Sequence, residues 1–277
     1  MIRALVFLAG SVFLISAAAA GPQSVRVGVV PAVNVMATIE QYQPVVDYLG
    51  EHLSGGAELL PQPHYLSVLR KLEAGRLDIA VMGSYIAFRA IREDGAIPLA
   101  RPVLHGDSTY EGIVFAAADA GVDRITDLNG KPFVSADRYT SAGYLYPRFL
   151  LRKAGHAPDG FFSEILFAGK HDAAILMVLA GDAPAGAAKD DVFRRLERSL
   201  PRVREELKVL HESDAAFPDR TVVARNGLDP ALRDTLRRIL VSMADTAAGR
   251  SALSRAGFER FIPTRQEDFG GVKRMLP

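Results

Sequence analysis

Asp137-Arg138-Tyr139-Thr140-Ser141-Ala142-Gly143-Tyr144 carries the clearest chemical content of this chain. Two hydroxyls and a glycine stand where a strand-like run, Pro132 to Ser135, gives way to a helix-like one near Tyr144. Unpaired amides, the helix macrodipole and hydroxyl donors at such a junction favour an anion. The same residues also read as an N-cap, with Ser and Thr satisfying the helix's own amides. His171-Asp172 opens another helix, after Phe167-Ala168-Gly169-Lys170. There an imidazole can donate to a polar ligand and change charge near neutral pH; equally, Asp172 can cap while His171 packs. Tyr65 and Tyr110 stand at strand ends, where a phenol either lines a cleft or is part-buried packing. Asp190-Asp191 can recognise a cationic group or cap a helix from Val192 to Leu196, with Asp190 as the cap and Asp191 open.

Other chemistries are excluded by what the sequence lacks. With no cysteine there is no disulfide framework, thiol nucleophile or thiolate metal site. His52, His64, His105, His156 and His211 form no helical metal pair, and no zincin, Walker, nucleophile-elbow or Rossmann motif occurs. The reading is therefore of no metal, no cofactor and no enzymatic activity. Lys plus Arg number 33 against 32 Asp plus Glu, a net charge of +1, which argues against a nucleic-acid partner.

These residues must be positioned by alternating strands and helices. Val25 to Val30 is a β-branched strand closed by Pro31; Ile39, Tyr42, Val46, Leu49 and Leu53 mark a helix stopped at Gly55-Gly56. Leu59-Leu60 is a strand, Leu66 to Leu72 a helix closed by Gly75, and Leu77 to Gly83 a strand. Gly112 to Ala117, Pro132 to Ser135 and Glu164 to Phe167 read as further strands. Helices are expected from Thr126 to Gly130, Tyr144 to Ala154 and Asp172 to Leu179. Leu207 to Leu210 and Thr221 to Ala224 are late strands, and a helix follows Asp229. The segments Leu72 to Ala80 and Val178 to Gly186 both run helix, Ala-Gly cap, then strand, which suggests two similar α/β lobes with a ligand cleft between them.

Met1-Ile2-Arg3, an apolar run from Ala4 and the small residues Ala17 to Ala20 read as a secretory signal peptide cleaved near Ala20. A periplasmic, freely diffusing monomer is the expectation.

In order along the chain, several motifs resemble the phosphate/phosphite/phosphonate-binding proteins of ABC importers. They are Val27-Gly28-Val29-Val30-Pro31, Tyr42-x-Pro44-x-x-x-Tyr48-Leu49, His64-Tyr65, Gly75-x-x-Asp78-Ile79-Ala80 and Gly106-x-x-x-Tyr110. Asp127-Leu128-x-Gly130-Lys131, Thr140-Ser141-Ala142-Gly143-Tyr144-Leu145-x-Pro147 and Gly169-Lys170-His171-Asp172-Ala173-Ala174 follow. The resemblance implies a two-lobed Venus-flytrap fold of the second type, hinged by crossing strands. One lobe would span 21–110 plus 215–277 and the other 111–214. It implies that Thr140, Ser141 and the amide of Ala142 hold the oxyanion together with His171. Tyr65 and Tyr110 would form cleft walls, Asp191 would face a ligand substituent, and Ser84 and Tyr85 would lie on the opposite lobe. The family's Ser-Thr-Ser-Gly turn is here Thr140-Ser141-Ala142-Gly143, one hydroxyl fewer, a difference of about 1.5–3 kcal/mol toward a charged ligand. Pro184 replaces an Asp, and Lys170 adds a cation beside His171. Partners would be a small anionic ligand and an inner-membrane ABC permease or, in the alternative, a sensor kinase or chemoreceptor.

Overall fold

The structure, a computed structural model, describes residues 23–30 and 35–277. The signal-peptide reading and Pro31 lie outside the described residues. In the first half, β1 (Val25–Val29), α1 (Val35–Glu51), β2 (Ala57–Pro61), α2 (Tyr65–Glu73), β3 (Ile79–Met82), α3 (Ser84–Glu93) and β4 (Ile97–Val103) alternate. The chain then crosses through β5 (Thr109–Tyr110) into β6 (Gly112–Ala117), β7 (Phe133–Ser135), α4 (Tyr146–Lys153), β8 (Ile165–Phe167) and α5 (His171–Ala180). It continues through β9 (Ala185–Lys189), α6 (Asp190–Ser199), α7 (Pro201–Glu206) and β10 (Leu207–Glu212). It returns by β11 (Phe217–Pro218) to β12 (Thr221–Ala224), α8 (Pro230–Val241), α9 (Ala247–Ala256), β13 (Arg260–Pro263) and α10 (Gly270–Arg274). No helix among the described residues is long and apolar enough to cross a membrane.

Two lobes result, built on one plan. The first sheet has the order β13-β4-β12-β3-β1-β2 and the second β10-β6-β9-β7-β8. In each, one strand (β1, β7) pairs in parallel with the two sheet strands that follow it, and the inner of these meets an antiparallel strand that arrives after a crossing (β12, β6). The crossings themselves pair as the short antiparallel ribbon β5–β11. The repeated Ala-Gly segments fall on equivalent joints. Gly75 and Gly181 take left-handed φ of +65° and +88°, where a Cβ would be strained, and end α2 and α5 before β3 and β9.

The core is apolar and layered. Every residue of β3 is buried, and Tyr42, Val45, Val46 and Leu49 of α1 pack with the β1 valines and with α9. Phe115, Val134, Ile175, Val178 and Phe193 do the same in the second lobe. Side chains of this size each contribute about 1.5–3 kcal/mol on full burial, so the lobes stand on their cores rather than on surface ion pairs.

Three expectations change. α1 begins at Val35, before Ile39. The unit α3–β4 adds a helix and strand between the Leu77 and Gly112 strands, because Ile86, Ala87, Ala90 and Ile91 bury one helical face. Finally, the helix expected from Tyr144 is preceded by a wider π-helical turn, Ser141–Leu145. The Thr140 carbonyl accepts from both Tyr144 N (3.3 Å) and Leu145 N (3.2 Å), the signature of that widening. Gly143 lets this turn sit against the strand end: a Cβ there would lie 2.7 Å from Thr140 Oγ1 and 3.1 Å from the Ala136 backbone N. Gly143→Ala is therefore expected to cost about 1–3 kcal/mol of stability by overpacking. Urea unfolding measures it, and an unchanged midpoint would show that the turn opens freely.

Candidate functional site

Strands β1, β3, β7 and β9 end, and helices α1, α3 and α5 begin, around one cavity of about 490 Å³. Sites at the carboxyl ends of open α/β sheets have this placement because loops and helix amides, not core side chains, face outward there. Six of the nine residues singled out from the sequence line it: Tyr65, Ser84, Tyr110, Thr140, Ser141 and His171.

At its centre three buried hydroxyls meet. Ser84 Oγ lies 2.6 Å from Ser141 Oγ and also bonds the Tyr110 hydroxyl. Ser84 is the first residue of α3, with Gly83 as its N-cap, and Ser141 is the first residue of the π turn. Two helical N-termini from opposite lobes therefore face each other, each with leading amides that have no partner within the helix. Three hydroxyls share two mutual bonds, which consume two of their three protons and leave one donor for a ligand. Arg89 of α3 stacks over the Tyr139 ring at 5.4 Å, a second contact between the lobes.

Thr140 lines the cavity but donates its hydroxyl proton to the Asp137 carbonyl at 2.6 Å, so it holds the turn together. Asp137 Oδ1 accepts from Tyr139 N at 2.8 Å and tightens the same loop. Ala142 is buried in the core and is not among the described lining residues. Tyr85 and Asp191 are not among the described lining residues. Tyr85 sits at the second position of α3, and Asp191 Oδ1 accepts from Val192 N at 2.8 Å.

His171, the first residue of α5, is 8% exposed. Burial, reinforced by nearby Lys189, holds its imidazole down to about pKa 3, so it is neutral at physiological pH. This corrects the expectation that it changes charge near neutrality. Its Nδ1 has no hydrogen-bond partner among the described residues. The cap of α5 is Lys170 and that of α6 is Lys189, so neither Asp172 nor Asp190 plays the capping role considered for it. Asp190 instead accepts from Glu111 N at 2.8 Å, tying α6 to the crossing segment.

Among the lining residues that the sequence reading did not single out are Lys189, Asp219 and Arg220. Asp219 bonds both Lys189 Nζ and the Arg220 guanidinium. Burial alone would raise the Asp219 carboxyl, but Arg220 and Lys189 outweigh it and hold the group below its ordinary range. Arg220 has a left-handed φ of +46°, which costs a non-glycine residue about 1–3 kcal/mol and persists here under its ion pair. Burial pushes the Tyr65 and Tyr42 phenols up to about 12, so both remain neutral donors in the cleft wall. No group of three or more His, Cys, Asp or Glu among the described residues is arranged to hold a metal.

Comparison with known proteins adds a family. The model described as "ABC transporter, phosphonate, periplasmic substrate-binding protein" matches residues 27–269. The chain is 26% identical over 279 residues to the phosphate-import protein PhnD of Mycolicibacterium smegmatis, covering 92% of this chain and 85% of that one. In fold it is similar to PhnD1 of Prochlorococcus marinus in complex with methylphosphonate, at TM-score 0.77 and 18% identity, covering 92% of this chain and 97% of that one. It is similar too to XAC2383 of Xanthomonas citri bound to ATP, at TM-score 0.76 and 21% identity over 91% and 98% of the two chains.

Proposed function

We propose, from the premise that this chain belongs to the family of periplasmic substrate-binding proteins of ABC phosphonate transporters, that its interlobe cleft captures a phosphorus oxyanion of the phosphate, phosphite or phosphonate class. The observation that carries this reading is the facing pair of helical N-termini at Ser84 and Ser141, whose hydroxyls are 2.6 Å apart with Tyr110 bonded to the same point. An oxyanion with several acceptor oxygens can replace the mutual hydroxyl bonds and draw donors from both lobes at once. Binding then favours the closed arrangement, because the ligand gains donors there that the open form holds apart. The crossing ribbon β5–β11 provides the hinge, with residues 21–110 plus 215–277 as one lobe and 111–214 as the other. The closed form is the state an inner-membrane permease would read. The location is periplasmic, as the family's is. A binding role, rather than catalysis, is supported by a site whose hydroxyls bond one another and whose buried carboxylate, Asp219, is held by two cations.

Titration calorimetry with phosphate, phosphite and methylphosphonate tests the reading; silence across this panel would defeat it. Ser141→Ala removes one charge-assisted donor and is expected to weaken binding about 10- to 100-fold, corresponding to about 1.5–3 kcal/mol, with little change in melting temperature.

A further inference from the structure

The cluster at the cleft's inner wall decides what else a ligand can carry. Asp219 is 4% exposed, and its oxygens are taken up: Oδ1 accepts from Lys189 Nζ and, at 3.0 Å, from Arg220 N, while Oδ2 accepts from the Arg220 guanidinium. A buried carboxylate beside an anion site would ordinarily be the natural receptor for a cation on the same ligand, since a buried charge must be paired. Here the protein supplies the cation itself. Lys189 reaches Asp219 from the end of β9 and lies 4.0 Å from the centroid of the Tyr110 ring, so the ammonium sits beside the hydroxyl cluster. Within this ion-paired cluster two cations stand against one carboxylate. Asp191, at the start of α6 and outside the lining residues, also acts on Arg220, while Lys189 is ion-paired with Asp219 alone among the described residues. Among the other charged lining residues, Asp172 is half-buried with Oδ1 on the Ala173 amide, and exposed Glu40 is outnumbered by exposed Arg195 and Arg255.

Size is not the filter, because a cavity of about 490 Å³ has room for a substituent beyond the oxyanion. Resting on the reading of the cleft as a phosphorus-oxyanion site, we propose that it accepts ligands whose substituent is uncharged or anionic and rejects those with a cationic one, such as aminoalkylphosphonates. Lys189 is the residue that sets this rule. A zwitterionic ligand would bring an ammonium to a wall that already holds two cations, with its carboxylate committed to them.

An isosteric pair tests this. Calorimetric titration of the whole chain compares propylphosphonate with 2-aminoethylphosphonate, alongside phosphate, phosphite and methylphosphonate. The expected result is at least 100-fold tighter binding of propylphosphonate than of its amino analogue. Lys189→Met frees Asp219 for a ligand cation and is expected to shrink that ratio at least tenfold, whereas Lys189→Arg preserves it. Equal affinity of the wild-type protein for the two ligands overturns the proposal, whatever the variants do. So does failure of propylphosphonate where phosphate binds, or an unchanged ratio in a folded Lys189→Met protein. Silence of the whole panel, by contrast, defeats the oxyanion reading beneath it and the inference together.

Discussion

Asp219→Asn is expected to lower the stability of the ligand-free protein by about 3–5 kcal/mol, the range seen when one partner of a buried ion pair is removed. The side chain it alters is 5% exposed and stands between Lys189 and Arg220, themselves 12% and 19% exposed. The neutral amide keeps the shape but leaves two poorly hydrated cations facing each other. It also weakens the contact that holds Arg220 at its positive φ. An anion in the cleft then supplies counter-charge that Asp219 no longer gives, so phosphate or methylphosphonate should stabilise the variant more than the wild type. For comparison, a ligand at 100 times its dissociation constant stabilises a protein by about 2.7 kcal/mol. Urea melts with and without anion measure both effects. A loss under about 1 kcal/mol would mean that water reaches the cluster, and an equal anion effect would mean the ligand does not sense it.

Acid should unfold this protein through His171. The native imidazole is held down to about 3 by burial and by Lys189, while in the unfolded chain it titrates near 6.5. Between those values the unfolded chain takes up a proton that the native one refuses. Stability from this residue is therefore complete above about pH 6.5 and drains away as pH falls toward 3. The interval amounts to about 5 kcal/mol, of which about 2 kcal/mol is gone by pH 5. Glu111 and Asp190, raised chiefly by burial, act in the opposite sense. They are common to wild type and variant, so comparison with His171→Gln isolates the imidazole. Between pH 7 and 5 the wild type should lose about 2 kcal/mol more than the variant. Parallel curves would show that the ring protonates in place.

What was legible in the sequence follows from where the information resides. Strands such as Val25–Val29 and Gly112–Ala117 declare themselves through local β-branched runs. The Ala-Gly joints do so through a conformation that only glycine adopts without strain. The Thr140-Ser141 turn stood out because hydroxyls and glycine at a strand-to-helix junction are locally diagnostic. Lys189, Asp219 and Arg220 were not legible. Their chemistry arises when segments 30 residues apart meet and lose water together, and a charge run on paper looks like a solvated face. The charge state of His171 failed for the same reason: its imidazole is ordinary until buried beside an ammonium. Ser84 came into view through family resemblance rather than through its own neighbours, since a serine after a glycine is a commonplace helix start.

The strand that each sheet receives across the ribbon sets an order in time. All strands of the second sheet lie between Gly112 and Glu212, whereas the first sheet must wait for Thr221–Ala224 and Arg260–Pro263. In a chain synthesised from its N-terminus, the lobe begun first is thus the lobe finished last. During that interval β3 and β4 lack the strand that separates them, and the four buried residues of β3 lie at an open edge that invites pairing with another chain. Nascent forms ending short of β12 should therefore be the ones that holdase chaperones retain, and completion of β12 should release them.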